Sequence, residues 1–365
     1  VKKASDLIPW KVTDISLRPF DHFWSMNPSI HYDGTLWRCV LRCSDYSMPG
    51  GVAIRSGRAR PGESRTKNAM VIFDPVSWTP VEIYKMRERD ELSRASSTSV
   101  GYEDIRIFRT DKGGLQGIAA SLHLKRPDRG SQLAEQVLLR FDEEYNIVDA
   151  HPIRGDSWSR SPQKNWVPFD GCAEPRFLYS IDKGTMFNDR GEIRAAEALV
   201  RPSTRPRSRS HEPDERAMVR ARERAREREG ARAREEQRCA RRARDDRSVE
   251  LFCDTKDLPA LEGLRGGTQL VRVGEDAWLG IGHDMKFVDN LKMYWHVWYL
   301  VDARGKMKSA SPPMKLAPDN GIEFAAGMGI DGERVVVSFG VDDMECKIGE
   351  TKLSAVMATL QKVGR

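Results

Sequence analysis

The chain has 365 residues, 39% apolar and 31% charged, with a net charge of +6. That length suits one large domain or two ordinary ones, and no apolar run is long enough to span a bilayer. Between residues 201 and 247 seventeen arginines face ten acidic residues, a local +7, so the rest of the chain sums to about −1. The basic pI therefore gives no reason to expect nucleic-acid or membrane binding by the folded body.

In chain order, one local pattern recurs: a turn, then a β-rich strand, then a polar residue. Its turns fall at Asp33-Gly34, Gly113-Gly114, Glu174-Pro175, Glu275-Asp276 and Asp331-Gly332. Asp-Gly pairs are hairpin signals, because that turn demands positive φ. With the insert set aside the repeats stand roughly 55–80 residues apart, the size of one four-stranded propeller blade. The pattern predicts an all-β fold, a five-bladed β-propeller over residues 20–345. Two β-sandwich domains are the competing architecture, but they require no five similar hairpins. Leu353, Val356, Met357 and Leu360 carry a helical period, which predicts a short C-terminal helix over 349–363.

The segment 201–247 interrupts the propeller. Its opening is turn-rich and of low complexity, so disorder is expected there. From about Asp214 to Arg244, Glu–Arg neighbours at i,i+4 favour a solvent-exposed single helix. It reads either as a solvated insertion or as a basic docking arm for RNA or acidic partners; the ten interspersed acids weaken the second reading. Six cysteines are scattered along the chain with no CxxC pair and no zinc-ligand spacing. Free thiols in a reducing compartment are the expectation, and no metal is. The chain opens on Val1, so localisation stays open, with the cytoplasm slightly favoured by the thiols.

Chemistry-bearing residues accompany each repeat. Residues Gly101 to Arg109 read as a strand, in which period-2 alternation puts Asp104 and Arg106 on one face and Ile105 and Ile107 on the other. In a propeller the inner strands converge at one mouth of the channel. There the first repeat offers Asn27 and Arg42, and the second Glu103, Asp104 and Arg106. The third offers Lys164 and Asn165, the fourth Arg265 and His283, and the fifth Glu323. One or two carboxylates among an excess of cations suit an acid-catalysed glycosyl or phosphoryl reaction on an anionic ligand. Trp166, Trp278, Trp295 and Trp298 read as core residues before sugar platforms.

Four ordered motifs carry a family resemblance: Gly101-Tyr-Glu-Asp-Ile-Arg106, Lys164-Asn-Trp-Val-Pro-Phe169, Gly266-Gly-Thr268 with the later His283, and Phe324-Ala-Ala-Gly327 with Val335-Val-Val-Ser-Phe-Gly340. In these the chain resembles the five-bladed propeller glycosidases and phosphorylases of the glycoside-hydrolase 43/130 type. The β-mannoside phosphorylases of family 130 are the nearest group, and the related β-1,2-mannosyltransferases of glycosyltransferase family 108 share the propeller.

The resemblance implies inverting phosphorolysis, or transfer, of a β-linked mannosyl-type sugar. It implies Asp104 as general acid and Arg106, Lys164 and His283 as phosphate ligands. Asn27 and Arg42 then contact sugar, with Glu103 and Asn165 beside them. It implies no cofactor, inorganic phosphate or a sugar phosphate being the co-substrate. Ile105 stands where the family motif has proline, which permits an ordinary strand there and a less firmly aimed Asp104. The alternatives are an inverting hydrolase, which needs a second carboxylate with Glu323 or Asp284 as candidates, and a non-catalytic glycan-binding propeller. The oligomeric state is not indicated.

Overall fold

The computed structural model describes residues 1–49, 53–56, 64–88, 99–111, 113–121, 134–153, 164–181, 183–189, 263–288, 291–317 and 322–363. The insert expected over 201–247 lies outside these residues, as do Cys239 and Cys253. What is described is almost entirely β, in a propeller-like arrangement of antiparallel blades.

Each blade is a meander built from the hairpins marked by the turn residues. The first runs Trp24–Tyr32, Trp37–Ser44, Ser64–Phe73 and Pro80–Lys85. The second runs Tyr102–Thr110, Gly113–Ser121, Glu135–Phe141 and Ile147–Pro152. Val167–Pro168, Arg176–Ser180 and Thr185–Asn188 form a three-stranded sheet. A larger sheet is centred on the long hairpin Ala277–Val288 and Leu291–Val301. The last sheet holds Glu323–Asp331, Arg334–Val341 and Glu345–Lys352, and its outermost strand is Lys11–Asp14 from the other end of the chain. Both ends of the described chain thus pair within one sheet. Lys11–Asp14 lies before residue 20, where the propeller was expected to begin. The expected helix is shorter than 349–363, spanning Leu353–Thr359, because residues 349–352 complete the last strand. No described helix is long and apolar enough to cross a membrane.

Buried polar contacts tie the inner strands of different sheets together. Gln269, fully buried, donates from Nε2 to the carbonyl oxygens of Ile30 and Met328 and accepts from Met328 N–H through Oε1 at 3.1 Å. It thereby joins the inner strands of the first and last blades to the segment before the long hairpin. Ser29 Oγ accepts the backbone N–H of Ile107 at 3.0 Å, tying the first blade to the second. Gly327 sits so close to the first blade that a Cβ there would lie 2.1 Å from the nitrogen of Ile30. These buried contacts cross between blades and fix their register. Cys39 and Cys43, on one strand, are both buried and free, as are Cys172 and Cys346.

A buried ionisable cluster lies between the larger sheet and the last. Glu323 accepts Leu316 N–H at 2.8 Å and Ala317 N–H at 3.3 Å, and stands 3.8 Å from Lys315 Nζ and 3.7 Å from His296 Nδ1. Burial pushes its carboxyl up to about 7, and Lys315 and the two N–H groups only partly oppose that. The folded state thus holds a proton that the unfolded chain, titrating near 4.5, has already lost. This stability is present at low pH and is lost as pH rises from about 4.5 through about 7, by ~3 kcal/mol for this group alone. Measured by urea unfolding, wild type is expected to lose about that much stability relative to Glu323→Gln, which cannot titrate, between about pH 4.5 and 7, because the comparison cancels the other titrating groups.

Candidate functional site

Three inner strands break their alternation at the same level. In Tyr102–Thr110, Glu103 pairs with Ala120 and Arg106 with Ile118, one residue more than regular pairing allows. In Trp24–Tyr32 the same slip falls between Met26 and Ser29, and in Glu323–Asp331 between Ala325 and Gly327. The slips place Asn27 and Asp104 in left-handed backbone, at φ 46° and 52°. Asn165 and Asp343, at φ 63° and 50°, border the same space. Bulges re-aim side chains and are common beside active sites, and non-glycine residues at positive φ cluster where function demands it.

The expected ordinary strand at Ile105 is therefore corrected. Tyr102 and Ile105 both enter the core, which strict alternation forbids and one extra residue permits. Ile105 anchors the bulge by burial, and Asp104 is firmly held.

These elements enclose a cavity of about 250 Å³ lined by Asn27, Arg42, Glu103, Asp104, Lys164, Asn165 and His283. Seven of the eight expected site residues thus meet in one place. Asp104 Oδ1 accepts from Asn27 Nδ2 at 2.8 Å and from Arg42 Nη1 at 2.9 Å. Its Oδ2 has no hydrogen-bond partner among the described residues, so one oxygen is anchored and the other is available to a ligand. Glu103 bridges two cations, Arg42 Nη2 at 3.3 Å and Lys164 Nζ at 3.0 Å. Arg42 Nη2 also donates to the Tyr46 hydroxyl at 3.0 Å.

Arg106 does not line this cavity. Its guanidinium lies behind the wall, over the Phe324 ring at 5.4 Å, and donates to the carbonyls of Gly266, Gly267 and Asp104 and to Asn165 Oδ1. It is 2% exposed. Strand alternation gave its direction but not its reach, and its donors are spent on bracing three blades. His283 lines the cavity between Phe324 and Tyr294, ring centroids 5.0 and 5.7 Å away. Burial first, then the charges of Arg106 and Arg265, lowers its pKa to about 3, so it is a neutral imidazole.

Burial pushes the Asp104 carboxyl up, but Arg42, Arg106 and the hydrogen bond from Asn27 outweigh it and hold it at about 2. In the ligand-free protein Asp104 is thus ionised at neutral pH. The motifs did not reveal Asp343, which lines the same cavity and whose carboxyl is raised, first by burial and partly by Asp104. Tyr46, Lys292 and Tyr294 were missed as well. The only sequence signal for Asp343 is the Asp342-Asp343 pair that follows the final repeat strand. Arg265 and Lys292 also face the cavity and make no ion pair among the described residues.

The two carboxylates considered as a second catalytic group lie elsewhere. Glu323 is committed to the buried cluster described above, and Asp284 Oδ1 accepts the neighbouring Met285 N–H at 2.8 Å. Trp166, Trp278 and Trp298 are in the core. Trp295 is partly buried beneath Lys286, whose Nζ lies 5.2 Å from its ring centroid.

No protein-family model matches the sequence, and no curated protein matches it significantly. Solved structures do resemble it. A β-1,2-mannobiose phosphorylase from Listeria innocua superposes with a TM-score of 0.52 over 95% of this chain and 96% of that one, at 9% identity. A glycosyl hydrolase from Bacteroides ovatus gives 0.52 over 91% and 85%, also at 9% identity. The chain therefore has the propeller-like fold on which mannoside phosphorylases and glycoside hydrolases are built.

Proposed function

We propose that this protein is a carbohydrate-active enzyme that cleaves or forms a β-linked mannosyl-type bond with inversion, using phosphate or a sugar phosphate as co-substrate. The observation that carries the reading is Asp104: one carboxylate oxygen fixed by Asn27 and Arg42, the other open to a cavity bordered by cations. The fold, taken as five blades with residues 167–188 as the third, agrees with it, and so do the known activities of the similar structures.

In this reading a phosphate oxygen attacks the anomeric carbon from one side while the bond to the glycosidic oxygen breaks on the other. Asp104 gives its proton to the departing oxygen. The products are an α-sugar 1-phosphate and the freed acceptor. A phosphorylase needs only this one acid, because phosphate is already an anionic nucleophile, whereas an inverting hydrolase needs a second carboxylate to activate water. Lys164 and Arg265 meet the phosphate charge. His283 serves as a neutral donor rather than a cation, and Arg106 supports the wall instead of touching the ligand.

Asp104 must be protonated to act. In the ligand-free protein the cations hold it at about 2, so a bound anion beside Arg42 raises it by offsetting their charge. The pH profile for kcat, which reports the bound state, is expected to lose activity at higher pH than the profile for kcat/KM, which reports the free protein. Coincident profiles would contradict this coupling.

Asp343 favours one second reading, an inverting hydrolase in which it is the base. The two readings part on a simple assay. With mannose 1-phosphate and a panel of sugar acceptors, the transfer reading predicts release of free phosphate. Absence of phosphate with every acceptor, together with release of mannose from β-mannosides in water, would select the hydrolase.

A further inference from the structure

The long hairpin Ala277–Val288 and Leu291–Val301 outgrows its own sheet. On one edge its last partner is Arg265–Gly266, which pairs with His283 and Gly282. On the other edge its outermost partner is Met314, opposite His296. From Asp284 and Trp295 outward the two strands have only each other among the described residues, for five residue pairs. At about 3.3 Å per residue that is a ribbon roughly 16 Å long.

Directly paired residues of antiparallel strands share a face, and so do residues two apart. One face of the ribbon therefore carries His283 with His296, then Met285 with Tyr294, then Phe287 with Lys292. His283, Met285, Tyr294 and Lys292 all line the cavity. Phe287 is the next residue on that face. Exposure rises outward along it, from buried His283 through half-buried Met285 to Phe287 at 64%. The opposite face is covered by its own pair, Lys286 over Trp295. The bare aromatic thus stands on the cavity side, at the mouth, with the Lys292 ammonium across the strand from it.

We propose that Phe287 is the platform for a second sugar ring, the one on the leaving-group side of the bond, with Lys292 beside its hydroxyls. This inference rests on the reading of the cavity as a carbohydrate site. The cavity, at about 250 Å³, has room for little beyond one ring and an anion, so the rest of a disaccharide must leave through the mouth. A flat apolar face next to a polar donor matches a pyranose, which has an apolar face and a hydroxylated rim.

Calorimetric titration of the full chain with mannose and with β-1,2-mannobiose tests this. Wild type is expected to bind the disaccharide about tenfold more tightly than mannose. Phe287→Ala is expected to bring the disaccharide down to the affinity of mannose while leaving mannose unchanged, and Phe287→Trp to retain the difference. The side chain is exposed, so the alanine variant is expected to fold as wild type does. Equal disaccharide binding by wild type and Phe287→Ala, or equal weakening of both sugars, would overturn the platform alone. Binding of neither sugar by wild type would overturn the carbohydrate reading and the platform with it.

Discussion

Asp104→Asn is expected to reduce turnover of any substrate by at least about a hundredfold, the usual contribution of a positioned acid. The substitution keeps the shape of the side chain and can keep the acceptor contact from Asn27 and Arg42 through one oxygen. It removes the proton that the departing oxygen needs. Arg42 retains Glu103 at 3.3 Å and the Tyr46 hydroxyl at 3.0 Å, so no buried charge is abandoned. A modest change in melting temperature with a collapse of kcat is therefore the expected pattern. Substrates with an acidic leaving group, such as an aryl β-mannoside, are expected to recover part of the loss, since they depart with less help. A variant that turns over ordinary substrates at the wild-type rate would remove Asp104 from the chemistry.

Arg106→Met is expected to act mainly on stability. Its guanidinium is 2% exposed and donates to the carbonyls of Gly266 and Gly267, to Asn165 and back to Asp104. Burial lowers its pKa to about 10, with Asp104 pulling the other way, so it stays charged at neutral pH. Methionine fills part of the volume but leaves those carbonyls and the Asn165 amide oxygen without a donor. Removing one partner of a buried charged network typically costs about 3–5 kcal/mol, and each orphaned acceptor adds to the loss. Denaturant unfolding at neutral pH is expected to show a loss of that order. If the variant folds, Asp104 loses one of the two cations holding its carboxyl low, so its titration moves up. A stability within about 0.5 kcal/mol of wild type, as for an ordinary surface change, would contradict the brace.

Much of this arrangement was legible because propellers repeat. The Asp33-Gly34 and Asp331-Gly332 turns each join two neighbouring antiparallel strands, Trp24–Tyr32 with Trp37–Ser44 and Glu323–Asp331 with Arg334–Val341, as hairpin turns should. The ordered motifs supplied Glu103, Asp104, Lys164, Asn165 and His283, and the first repeat Asn27 and Arg42, all of which line one cavity. What alternation alone concealed was the bulge. A single extra residue reverses which side chains face the core, and nothing in Gly101–Arg109 announces it except an acidic residue tolerant of positive φ. Arg106 was misjudged for a different reason: alternation gave its direction, but its long side chain reaches past the cavity wall to Gly266, Gly267 and Asn165. Asp343 lay beyond the quoted motif, and the charge state of His283 depends on burial that only the packed structure supplies.

The most direct measurement is the product formed from β-1,2-mannobiose with and without inorganic phosphate, followed by proton and phosphorus NMR. The enzyme is expected to give α-mannose 1-phosphate and mannose when phosphate is present, little reaction without it, and neither product as Asp104→Asn. Equal release of mannose in the presence and absence of phosphate, with no sugar phosphate formed, would contradict this expectation.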